Sequence, residues 1–103
     1  MYARVIAFSG ADSSKREPAE EMVRGTVIPM LRDYDGYQGY IALWDEENGR
    51  SKAIVLWESR ETADAAEETL AERRTQNVAR LGLTIESIEL LEAPVVELEG
   101  ARV

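Results

Sequence analysis

A hairpin with two apolar faces constrains this chain more than any other feature. Strands are expected at Tyr37 to Trp44 and Ser51 to Glu58, with the turn signal Asn48-Gly49 between them. Pairing Glu47 with Arg50 across that turn sets Trp44 opposite Ala53, Ala42 opposite Val55 and Tyr40 opposite Trp57. Side chains alternate along a strand, so one face carries Tyr40, Ala42, Trp44, Ala53, Val55 and Trp57. The other carries Gly39, Ile41, Leu43, Ile54 and Leu56. A chain of 103 residues, read as one domain over 1–103, has helix enough to cover one face. The second face needs another cover, and a two-fold homodimer pairing sheet with sheet is the expected one.

The flanking segments supply the rest of the fold. Tyr2 to Ser9 reads as a strand, with Arg4, Ile6 and Phe8 on one side and Val5, Ala7 and Ser9 on the other. Ser14 with Glu17 forms a capping-box signature, and Pro18 suits an early helical position. The helix is expected to run to Asp33, with Ala19, Met22, Val23, Val27, Met30 and Leu31 on its apolar stripe and Thr26 among them. Gly25 and Pro29 interrupt it and predict a bend over a twisted sheet. Ser59 caps a second helix, Arg60 to Leu81, whose apolar side holds Ala63, Ala66, Leu70, Ala71, Val78 and Leu81. Gly82 suits the left-handed residue that follows. Leu83 to Ala93 is a last strand with a bulge expected near Leu90-Leu91, Val95 to Leu98 a short edge strand, and residues 100–103 a frayed end. Strand, helix, strand, strand, helix, strand is the α+β, ferredoxin-like βαββαβ order, with four antiparallel strands and two helices on one face.

Composition excludes several functions. The net charge is −8, from 12 basic and 20 acidic residues. Such a surface repels phosphate backbones and anionic lipid, so neither nucleic acid nor membrane is an expected partner. No apolar run approaches the ~20 residues that span a bilayer. There is no cysteine, which removes disulfides and thiolate chemistry and fits a cytoplasmic home. There is no histidine either. Histidine-ligated zinc, iron or haem, and Ser-His or Cys-His nucleophile pairs, cannot be built from this chain. Asp12, Glu17, Glu20 and Glu21 suit a helix N-terminus and a solvated face better than a cation, and Asp45 to Asn48 lacks the spacing of a calcium loop. No metal and no cofactor are expected.

Three stretches carry a resemblance: Tyr37-Gln38-Gly39-Tyr40, then Trp44-Asp45 followed by Asn48-Gly49-Arg50, and above all Leu56-Trp57-Glu58-Ser59 with Glu61. Over Tyr2 to Glu92 the chain resembles the antibiotic biosynthesis monooxygenase-like domains of the dimeric α/β barrel superfamily. The resemblance implies a dimer and a pocket between helices and sheet, lined by Trp57. It does not extend to the haem-degrading relatives, which use a first-strand asparagine and a second-helix histidine. Here those regions hold Ile6-Ala7-Phe8 and the surroundings of Glu68.

The expected activity is cofactor-independent oxygenation of a small aromatic or polyketide-like compound. The alternative is a non-catalytic ligand-binding or stress-responsive dimer. Large rings beside Ala42, Ala53 and Val55 can enclose a cavity for a flat apolar ligand. Trp57, Trp44, Tyr37 and Arg24 are the candidate substrate-binding residues, with Arg24 as anion stabiliser. Tyr40, Glu68 and Asn77 are the candidate catalytic groups. A tyrosine, arginine or carboxylate converging on the void favours chemistry; a purely apolar void favours binding.

Overall fold

The computed structural model describes residues 1–100. The element order is β1 (Tyr2–Ser9), α1 (Ser13–Met22), a π-helical turn (Val23–Val27), α2 (Ile28–Leu31), β2 (Tyr37–Asp45), β3 (Arg50–Trp57), α3 (Arg60–Leu81) and β4 (Thr84–Glu92). The strands form one antiparallel sheet in the order β2-β3-β1-β4. This is the expected ferredoxin-like α+β fold. The fraying expected beyond residue 100 lies outside the described residues.

The hairpin forms two residues out of the expected register. Asp45 pairs with Arg50, Ala42 with Ala53 and Tyr40 with Val55. The Asp45 carboxylate accounts for the longer loop: it accepts from the Asn48 backbone N–H at 3.3 Å, the Asn48 amide at 3.0 Å and Arg50 Nη2 at 2.9 Å. A shift of two preserves the alternation, so both faces keep their composition. A further irregularity between Tyr37 and Gly39 sets Tyr37 opposite Trp57.

The first helix is broken more deeply than a bend. Asp12, not Ser14, is its N-cap, accepting from the Ser14 backbone N–H at 2.9 Å. From Val23 to Val27 the chain takes a π turn, in which Ile28 N–H donates back to Val23 O. Pro29 has no N–H to continue an α-helical ladder onto Gly25, and widening the turn accommodates that loss. The turn also rotates the stripe, leaving Thr26 exposed while Val27, Met30 and Leu31 pack inward.

The second helix starts and ends where the sequence indicates. Ser59 Oγ accepts from the Thr62 backbone N–H at 3.1 Å, and Thr62 Oγ1 accepts from the Ser59 backbone N–H at 3.2 Å. Gly82 closes α3 at φ +70°. Ala71, expected on the apolar side, is exposed. Gly36 turns the chain into β2 at φ +82°, and a Cβ there would stand 2.5 Å from the Thr62 side chain. Only glycine fits this approach of the loop to α3.

The bulge in β4 lies at Glu86 rather than at Leu90-Leu91, because Ser87 pairs with Ala7 and Ile85 with Phe8. The extra residue brings Ile85 into phase with Ile88 and Leu90. Residues 93–100 form no strand, and Pro94 lacks the donor that pairing needs.

The core lies between the helices and one sheet face, around Leu31, Val55, Trp57, Ala63, Ala66 and Leu70. The opposite face carries Ile41, Leu43, Ile54 and Leu91, of which Leu43 is 47% and Leu91 51% exposed. Leu56 departs from expectation on this face, being buried within the single chain. Its Cδ1 reaches 3.5 Å from where a Gly39 Cβ would stand, so the side chain lies over bare backbone. Among the described residues no helix is long and apolar enough to cross a membrane.

Candidate functional site

An open cleft runs between the helices and the sheet and continues round the β2 edge past Gly39, Ile41 and Leu43, with a total volume of about 940 Å³. Ile6, Tyr40, Ala42, Trp44, Ala53 and Val55 contribute to its floor. Val23 and Val27 of the π turn and Met30 of α2 line one wall. Along α3, Glu67, Leu70, Arg74, Asn77, Val78 and Leu81 line the other at helical spacing. Ala42 and Ala53 pair directly between the larger rings, and their small side chains leave the space open.

Polar groups converge on this apolar space. Arg74 donates to Glu67 through both terminal nitrogens, at 2.8 and 2.6 Å. These bonds hold the Glu67 carboxyl below its ordinary pKa against the opposing effect of burial. Glu67 is therefore a paired carboxylate at neutral pH, not a proton donor. Arg4 is almost wholly buried, 3.5 Å from Asp64 and 3.7 Å from Glu67. Burial, reinforced by Tyr37, pushes the Tyr40 hydroxyl up to about 12, with Arg74 acting in the other direction. Tyr40 thus stays protonated and can donate a hydrogen bond to a bound anion. Among the described residues no group of three or more Asp or Glu is placed to hold a metal.

The Tyr40 shift has a measurable consequence. A tyrosine raised from 10 in the unfolded chain to about 12 contributes stability that is complete below pH 10. It is lost as pH climbs through the folded value. Urea midpoints should therefore fall between about pH 10 and 12, by an amount equivalent to ~2 kcal/mol. Tyr40→Phe should flatten most of that fall, leaving the smaller share of Tyr37, whose pKa burial also raises.

No protein-family model matches the sequence, and no curated protein is similar to it. Solved structures are similar. A proposed antibiotic biosynthesis monooxygenase from Deinococcus radiodurans superposes with a TM-score of 0.69 at 16% identity, over 97% of this chain and 100% of that one. A Streptomyces coelicolor monooxygenase in complex with nanaomycin D gives 0.69 at 15% identity, over 96% and 92%. The chain has the fold of the antibiotic biosynthesis monooxygenases. A dimeric ferredoxin-like protein from an uncultured marine organism also superposes, with a TM-score of 0.65 at 9% identity over 96% and 100%.

Within this fold, Tyr40, Asn77, Trp44, Trp57 and Arg24 all line the cleft. Trp57 offers it little surface, since 1% of the residue is accessible. Trp44 lies at the hairpin end, its Nε1 donating to Glu46 at 3.2 Å. Two expected residues fall elsewhere. Tyr37 packs edge-on against Trp57 at 6.1 Å and is absent from the lining. Glu68 is exposed, because one residue of helix turns the side chain about 100° away, and Glu67 takes the inward position. Arg4, Glu67, Arg74 and Ser51 were not among the expected site residues. The spacing of Glu67, Leu70, Arg74, Asn77 and Leu81 carried the signal for the helical ones. Charges on an inward stripe mark a polar cavity wall.

Proposed function

We propose that the chain is a cofactor-independent oxygenase acting on a small, flat, ionisable aromatic compound. The observation that supports this most is the meeting of Tyr40, Asn77 and Arg74 on one apolar cleft. Arg74 is neutralised by Glu67, so the protonated Tyr40 and the Asn77 amide are the donors offered to an anion, as a phenolate or enolate would be. Without histidine, and with Glu67 already paired, the substrate proton is best released to water, and hydrogen bonds donated by Tyr40 and Asn77 favour the ionised form. The anion then passes an electron to dioxygen. For an anthrone-type methylene the net change is CH2 to C=O, with one oxygen atom retained and the other leaving as water. The Streptomyces neighbour's complex with nanaomycin D supports a small-ligand role for the shared fold here.

The same paired carboxylate also favours the second reading, a binding protein without turnover. Dioxygen consumption with anthrone and hydroquinone substrates separates the two. Turnover that Tyr40→Phe lowers roughly 100-fold in kcat/KM is expected. No turnover across a broad phenolic panel overturns the enzyme reading.

The proposed assembly is a homodimer paired through the open sheet face, in keeping with exposed Leu43 and Leu91 and with the dimeric marine neighbour. The cysteine-free composition supports a cytoplasmic location.

A further inference from the structure

The buried charges in the cleft do not balance. Arg74 and Glu67 neutralise each other in a close two-bond pair, with side chains 13% and 26% exposed. Arg4 remains, its side chain 11% exposed, and its contacts are long: 3.4 Å to the Ala63 carbonyl, 3.5 Å to Asp64 and 3.7 Å to Glu67. Asp64 is 59% exposed and keeps most of its carboxylate in water. Glu67 already accepts two shorter bonds from Arg74. A guanidinium has five donors in a planar fork, and among the described residues no fully buried side-chain nitrogen lacks a partner, so the donors Arg4 does not engage reach accessible space. Arg4 also lines the cleft, at the α3 side of the floor.

Resting on the reading of the cleft as a ligand site, we infer that it selects aromatic ligands bearing a fixed negative charge, an aryl carboxylate in class, and that Arg4 holds that charge. The carboxylate would take the fork that Asp64 and Glu67 engage only at long range, while the ring lies against Ala42, Ala53 and Val55. Arg4 is then a binding residue and sets specificity. It stands on β1, apart from the Tyr40 and Asn77 groups assigned to chemistry.

Calorimetric titration with 2-naphthoate and 2-naphthamide tests this, since the two share a ring system and differ in charge. Naphthoate should bind at least about tenfold more tightly, the scale of a charge-assisted pair. Arg4→Gln should erase that preference, weakening naphthoate at least about tenfold more than naphthamide. In the native protein, the Arg4 Nε–H NMR resonance should move on adding naphthoate and stay still with naphthamide, which keeps the test open if the variant does not fold. Equal affinities for the two probes overturn the charge selectivity and leave the cleft reading standing. A preference that survives Arg4→Gln, or an Arg4 resonance unmoved by naphthoate, overturns the role of Arg4. Failure of both probes at millimolar concentration overturns the cleft reading itself.

Discussion

Trp57→Ala should lower stability by about 3–5 kcal/mol, the range for truncating a large buried aromatic. A domain of this size holds roughly 5–15 kcal/mol in total, so the variant should be marginal. At about 4–8 °C per kcal/mol, the melting temperature should drop by roughly 12–40 °C. The reason is the number of elements that meet on one ring. Trp57 ends β3 and packs in the cluster with Leu31 of α2 and Ala63, Ala66 and Leu70 of α3. Tyr34 and Tyr37 approach it edge-on at 6.4 and 6.1 Å. Removing it opens a cavity that alanines on α3 cannot fill without moving the helix. Trp57→Phe should cost less and change naphthamide affinity by less than about threefold, because so little of the ring reaches the cleft. A thermal scan with a small shift for Trp57→Ala would contradict this packing. A large affinity loss in Trp57→Phe would restore the ligand-facing role that the resemblance implies.

Leu43→Glu should turn the proposed dimer into an 11.5 kDa monomer at micromolar concentration while leaving the monomer fold intact. Leu43 is 47% exposed in the single chain, so its replacement removes little from the chain's own core. In a two-fold interface the substitution counts twice. Losing two leucine side chains from burial costs about 4 kcal/mol, and two unpaired carboxylates would add to that. Since 1.4 kcal/mol is a factor of ten, the dissociation constant should rise by at least about 1,000-fold. Sedimentation velocity on both proteins reads this directly. A native chain that sediments as a monomer would remove the dimer, and an unchanged dimer in Leu43→Glu would move the interface elsewhere.

The same two residues mark where sequence reasoning worked and where it stopped. Trp57 and Leu43 were assigned to opposite faces from the alternation of the hairpin, and the structure agrees despite a register two residues away. The shift was hidden because the Asp45 carboxylate, hydrogen bonded to Asn48 and Arg50, sets the loop length, while Asn-Gly alone suggests a shorter turn. Capping of α3 by Ser59 and its closure at Gly82 were legible because both depend on a few adjacent residues. The π turn was not. Gly25 and Pro29 announced a disturbance, but whether the helix bends, breaks or widens depends on what the stripe packs against.

The cleft was half legible. Tyr40 and Trp44 could be placed on an inward face by the alternation of the hairpin, whereas Asn77 was singled out only as a polar group on α3. Arg4 shares a strand face with Ile6 and Phe8, and Arg74 a helical stripe with Leu70 and Leu81, but an arginine in an acidic sequence is ordinarily a surface cation and neither stood out as a site residue. Only the folded chain shows that Arg4 on β1 meets Glu67 on α3 across 63 residues of sequence, and that Glu67 rather than Glu68 faces in.

Local chemistry thus determined the order of strands and helices, their caps and the apolar character of both sheet faces, because periodicity and capping act over a few residues. The three-dimensional packing alone decided the hairpin register, the widened helical turn and the charge balance of the cleft. Those depend on which distant side chains come to share a space from which water is largely excluded, and no single segment carries that information.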